Sequence, residues 1–187
     1  MKSKGFLLAI AIIAIIIGAI ATLMGIIGTL ANAGMGMMTS IGSATQDPAA
    51  KEMLKHLGKF SSYQTINSVL GLFVGLGYLV SGIMLTKTNQ TGKKILIYSS
   101  IGGIISAIIG AAIAFLLVGP AMGDLLDTAA KASGEKMPFE NMGSAFGTAL
   151  GSMGAIVSLI CGLIFPVFFL IGVNSSSVKA QFIQPDE

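Results

Sequence analysis

Residues Gly5–Ala33 read GFLLAIAIIAIIIGAIATLMGIIGTLANA and carry no charge. A helix needs only about 20 apolar residues to cross a hydrocarbon core about 30 Å thick, and this run exceeds that. It is apolar on every side rather than along one stripe, which suits lipid or a deep core and not a water-facing helix. Three further runs read the same way: Tyr63–Thr86, Ile95–Gly119 and Ala145–Val173, none containing Asp, Glu, Lys, Arg or His. The four runs predict an all-α membrane protein, a four-transmembrane-helix bundle of two tandem hairpins, forming a single membrane domain over residues 1–187.

Composition agrees. Hydrophobic residues make up 53% of the chain and charged residues 10%, against roughly 25% charged in soluble domains. The connecting segments 34–62, 87–94 and 120–144 and the tail 174–187 are too short to bury a core of their own. All the positive charge is lysine. Without arginine, planar bidentate recognition of phosphate is not expected, and the absence of a basic stripe with interleaved aromatics excludes a nucleic-acid partner. The lone Cys161 falls inside the fourth run, so no intramolecular disulfide can form.

Lysine placement sets the expected orientation. Lys2, Lys4, Lys87, Lys93, Lys94 and Lys179 share one side with Asp186 and Glu187, a balance of +4. The two longer connectors pair Lys51, Lys55, Lys59, Lys131 and Lys136 with Asp47, Glu52, Asp124, Asp127, Glu135 and Glu140, a balance of −1. The positive-inside rule then puts both termini in the cytoplasm, in a plasma or bacterial inner membrane. Lys2 and Lys4 ahead of an apolar run, with Ala31-Asn32-Ala33 after it, imitate a secretory signal. The run is nearly twice the usual apolar core of about 7–15 residues, so an uncleaved first helix is expected.

Two hairpins of one origin are also suggested. Ile15–Ala21 echoes Ile108–Ala114, and Leu70, Gly71, Leu79 and Gly82 recur as Leu150, Gly151, Leu159 and Gly162 at a constant offset of 80. Such repeats would share one orientation about an axis along the membrane normal. Apolar sequence of low complexity also produces such matches by chance.

Files of small residues are the strongest local pattern: Gly143, Gly147, Gly151 and Ala155 entering the fourth run, Gly71 and Gly75 in the second, and Gly103, Ala107 and Ala111 in the third. Four-residue spacing puts each file on one helix face, where a second backbone can approach closely. The partner helix lies either in the same protomer or in another copy or another membrane subunit.

In the first connector, Asp47 and Pro48 suit an N-cap and a first helical position. Beyond them Met53, Leu54, Leu57 and Phe60 gather on one face and Lys51, Lys55 and Lys59 on the other. This predicts a short extracytoplasmic amphipathic helix, lying on the bilayer surface or capping the bundle. His56 flanks its polar face.

Nothing here assembles chemistry. The acidic residues of the second connector are spread out and mixed with lysine, which reads as a solvated face. The methionines Met35, Met37, Met38, Met122, Met137 and Met142 read as gap filler rather than a Cu(I) site. Polar residues within or near the runs are mild: Asn67, Ser68, Tyr78, Ser81, Ser99, Ser100, Ser106, Thr148, Ser152 and Ser158. Coupled transport normally needs an ionisable group at membrane depth, and none is present. Pro166 is expected to bend the fourth helix. No enzyme, cofactor or metal site is expected. The leading expectation is a structural or accessory subunit of a membrane complex, or a self-assembling protein. The alternative is a small channel or uncoupled transporter lined by the polar residues above.

Overall fold

The computed structural model describes residues 2–42, 48–132 and 142–182, nearly all of them helical and none in a strand. In order these are α1 (Lys2–Gly42), α2 (Pro48–Thr86), α3 (Gln90–Ile113), a π-helical turn (Ala114–Val118), α4 (Gly119–Ala132), α5 (Met142–Asn174), the short α6 (Ser176–Lys179) and a 3-10 turn (Ala180–Phe182). Four stretches, Gly5–Ile41, Leu54–Thr86, Gln90–Thr128 and Ala145–Asn174, are helices long and apolar enough to cross a membrane. The protein is an all-α membrane bundle. Large apolar side chains such as Ile16, Ile20, Leu23, Phe73, Ile160 and Ile171 stand exposed. Such exposure suits contact with lipid.

The helices overrun the apolar runs that predict them. The amphipathic segment is not a separate surface element, because α2 begins at Pro48 and runs unbroken to Thr86. No glycine or proline lies between Phe60 and Tyr63 to stop it. The polar residues there are absorbed: the Ser62 and Thr65 hydroxyls donate to the carbonyls of Gly58 and Ser61, at 3.0 and 2.8 Å. Lys51, Lys55 and Lys59 are exposed, and Leu54, Leu57 and Phe60 are half-buried. Asp47 lies outside the described residues, as does the side chain of Met53.

Residues 120–132, expected as loop, are helical. Pro120 explains how. A proline cannot donate to the carbonyl four residues back and its ring crowds that carbonyl. The chain meets it with a π turn, in which the N–H of Gly119 donates to the carbonyl of Ala114, five residues back. Wider winding just before the proline lets the helix continue as α4. Pro166 sits inside α5, which is likewise uninterrupted.

Two compact units divide these helices: residues 1–26, 69–107 and 160–187 form the first, and residues 27–68 and 108–159 the second. The first unit holds the large apolar core. Leu7, Ile10, Ala11 and Ala14 on one face of α1 pack with Tyr78, Leu85, Leu96, Phe169, Val173 and Val178. The Tyr78 and Phe169 rings lie 5.0 Å apart between centroids. Here α1 and α2 pair antiparallel in a constant register. Gly18 faces Leu79, Gly25 faces Leu72, Gly75 faces Thr22 and Gly82 faces Ile15. On each helix the glycines are seven residues apart, and each fits the larger residue opposite. Heptad spacing keeps such a seam in contact along two helices.

At the end of this unit, Asn89 caps α3 by accepting from the Thr91 N–H at 2.8 Å. The turn before it places Thr88 at φ 52°, a left-handed position more often filled by glycine. The chain end docks nearby: the Gln90 amide donates to the Phe182 carbonyl at 3.1 Å, and Lys93 Nζ lies 5.3 Å from the Phe182 ring centre.

Candidate functional site

The second unit is built differently. Its interior relies on small residues and polar contacts rather than bulky apolar ones. The Ser61 hydroxyl donates to the Asn32 carbonyl at 2.7 Å, and the Asn32 amide donates to Ser68 Oγ at 3.5 Å. Asn32 and Ser61 are both buried. Elsewhere in this unit, α5 meets the π turn and α4 through glycines. A Cβ on Gly151 would lie 2.5 Å from Gly119 Cα and 3.1 Å from the Ala114 carbonyl oxygen. One on Gly147 would strike the Gly123 backbone nitrogen and come within 2.9 Å of the Gly119 oxygen. Two helices touch here backbone to backbone.

The structure therefore places the small-residue files unevenly. Gly147 and Gly151 pack within the chain, with Ala155 buried one turn further along. Gly143 lies in the first turn of α5, and its surroundings fall outside the described residues. Gly75 packs against α1 within the first unit, whereas Gly71 has no atom within 4 Å of a would-be Cβ. Also in the first unit, a Cβ on Gly103 would lie 2.8 Å from the Tyr78 hydroxyl and 3.0 Å from Pro166 Cγ, and one on Gly162 would lie 2.7 Å from the Ala107 methyl.

A half-open cavity of about 290 Å³ lies within the second unit. Phe60, Gln64 and Asn67 of α2 form one wall, at a spacing that shares a helix face. The π turn and the glycine junction form another, through Ala114, Val118 and Gly119. Gly154 and Ser158 of α5 complete it. Gly110 makes room for the Asn67 amide, whose oxygen would sit 2.9 Å from a Cβ there.

Several other polar groups are occupied locally. The hydroxyls of Thr22, Ser81 and Ser152 donate to carbonyls of their own helices at 2.7–2.9 Å. Tyr78 and Ser100 bury their hydroxyls beside one another in the first unit without a well-formed hydrogen bond. Cys161 is an exposed free thiol on α5. Among the described residues no three His, Cys, Asp or Glu side chains converge on a point that could hold a metal ion.

No family model, curated protein or solved structure matches this chain.

Two features of the structure escaped the reading of the sequence. One is the heptad seam of Gly18, Gly25, Gly75 and Gly82, hidden because attention to four-residue spacing favours Gly71 and Gly75. A search at period seven finds it. The other is the cavity, whose π turn is signalled only by Pro120 following an apolar run.

Proposed function

We propose that the protein is a non-enzymatic structural or accessory subunit of the membrane, a preformed scaffold rather than a conduit. The observation that carries this reading is the destination of its polar and small residues. Glycine faces are spent on close backbone packing inside each unit, and the hydroxyls of Thr22, Ser81 and Ser152 bond their own helices' carbonyls. A channel needs those hydroxyls free along a continuous path. A scaffold needs rigid helix pairs with an apolar exterior, and close glycine contacts supply the rigidity.

Purified protein reconstituted in liposomes should pass neither small ions nor neutral solutes above the protein-free leak. Native mass spectrometry of gently solubilised membranes should find the 19.1 kDa chain in an assembly of fixed stoichiometry. Discrete single-channel openings in a planar bilayer would instead favour the channel, for which the Asn67 and Ser158 side of the cavity is the best starting point.

The lysine asymmetry supports an orientation with both termini cytoplasmic. With Cys161 replaced by alanine, single cysteines at Ser43 and Ser133 should react with an impermeant maleimide added to intact cells. One at Ser176 should stay unlabelled until the cells are opened. Labelling of Ser176 from outside would reverse the topology.

A further inference from the structure

We propose that the cavity of the second unit binds an uncharged lipid whose polar end carries ester carbonyl or hydroxyl oxygens. Three observations converge on this class of ligand. The first is the state of the amides. Gln64 and Asn67 both line the cavity, and neither makes a hydrogen bond with any described residue. Each amide offers two donor hydrogens and an acceptor oxygen. Leaving them unsatisfied at the edge of a hydrocarbon layer is costly, and a ligand bearing oxygens removes that cost. Gly110 leaves room for the Asn67 amide, since a side chain there would displace it.

Charge is the second. Among the described residues, no ionisable side chain lines the cavity. A phosphate or carboxylate would enter without a compensating charge, so an anionic lipid is disfavoured and a neutral one is not. The third is depth and shape. Gln64 and Asn67 stand in the first two turns of the apolar run that begins at Tyr63, directly after the exposed Lys55 and Lys59. That is the level at which ester groups sit in a bilayer, with chains running inward. Apart from Ser158, the remaining walls are apolar, from residues such as Phe60, Ile113 and Val118. A volume of about 290 Å³ is at the lower end of small-molecule sites, about 300–1,000 Å³, and suits a glycerol ester with the start of its chains. The cavity is structural rather than a packing defect, because the π turn and the glycines of three helices create it together. Short π segments in long helices often mark such sites.

The full chain in phosphatidylcholine nanodiscs, doped with a diacylglycerol carrying a diazirine on one chain, provides the test. Illumination should place adducts on peptides containing residues 60–67, 110–122 or 150–158. Excess dioleoylglycerol should compete, whereas dioleoyl phosphatidic acid and the chain-free ester triacetin should not. Gly154→Leu is the sharpest variant. A Cβ at that position meets nothing within 4 Å, so the side chain fills open space and helix propensity favours the change. It should keep the thermal midpoint at or above wild type and abolish labelling. Asn67→Leu removes the oriented amide and should cut labelling about tenfold, while Asn67→Gln retains part of it. The proposal fails if both leucine variants label like wild type, or if adducts fall only on exposed residues away from the cavity, such as Ile160 and Ile171. It fails equally if the cavity takes up no probe, or if phosphatidic acid or triacetin competes as well as dioleoylglycerol.

Discussion

Gly18→Leu is expected to be among the most damaging single changes in the first unit. A Cβ at Gly18 would run into the backbone nitrogen of Leu79 and sit 2.8 Å from the Gly75 carbonyl oxygen. Both are main-chain atoms, so no side-chain rotation relieves the contact, and α1 and α2 must separate along their seam. Overpacking of this kind costs about 1–3 kcal/mol, and a backbone clash falls at the upper end. Even Gly18→Ala should lower the thermal midpoint in detergent measurably. Gly71→Leu is the matched control, because it changes the same residue type in the same helix pair where a would-be Cβ meets nothing. There the gain in helix propensity, up to about 1 kcal/mol, should leave stability unchanged or raised. Equal damage from both would mean that the period-four file, and not the period-seven seam, joins these helices.

The contrast between Gly18 and Gly71 explains why the fold was more legible than the packing. Span number and class follow from uncharged length, because hydrocarbon leaves an uncharged helix as the obvious solution. That signal is additive over some twenty residues and survives any local accident. Which glycine faces which neighbour depends on helix rotation and register. In these runs nearly every residue is apolar, so hydropathy has no periodic component to fix rotation. Small-residue spacing is the remaining cue, and two periods compete for it: four, which picks Gly71 with Gly75, and seven, which picks Gly75 with Gly82. The antiparallel partner decides, since Gly18 and Gly25 on α1 carry the same seven-residue spacing.

Element ends were misread for a related reason. The apolar run stops at Gly119 and the amphipathic segment starts at Pro48, and hydropathy marks where lipid ends, not where a helix ends. Backbone hydrogen bonds continue into water wherever nothing breaks them, as through Ser61 and Ser62. Pro120 should have been a break, and the π turn converts it into a continuation. The cavity inherits that invisibility. Asn67 and Ser158 were legible as mild polar residues in spans. With Gln64 they line one cavity beside the wider winding at Ala114–Val118, for which the sequence has no periodic mark.

The second large effect expected is at the glycine junction of α5, where Gly151→Leu and Gly147→Leu should both destabilise the protomer without changing its mass. Gly151 abuts the Gly119 Cα and the Ala114 carbonyl, and Gly147 abuts the Gly123 backbone. A leucine at either position drives α5 away from the π turn and α4, at about 1–3 kcal/mol for overpacking. The Ala114 carbonyl is also the acceptor of the π bond from Gly119. Displacing Gly119 therefore strains that bond as well, and Gly151→Leu should lower the thermal midpoint more than a steric term alone. Native mass spectrometry is the deciding readout. If the face served assembly, the same leucines would release a partner or split an oligomer while the protomer kept its midpoint. A lowered midpoint at unchanged mass is the outcome expected of a face already used within the chain. Because Gly119 and Gly151 also border the cavity, Gly151→Leu should weaken labelling by the neutral lipid probe in step with the loss of stability. Gly154→Leu, by contrast, should remove labelling with stability intact. Those two variants, one turn apart on a single helix, separate the packing role of the junction from the binding role of the cavity beside it.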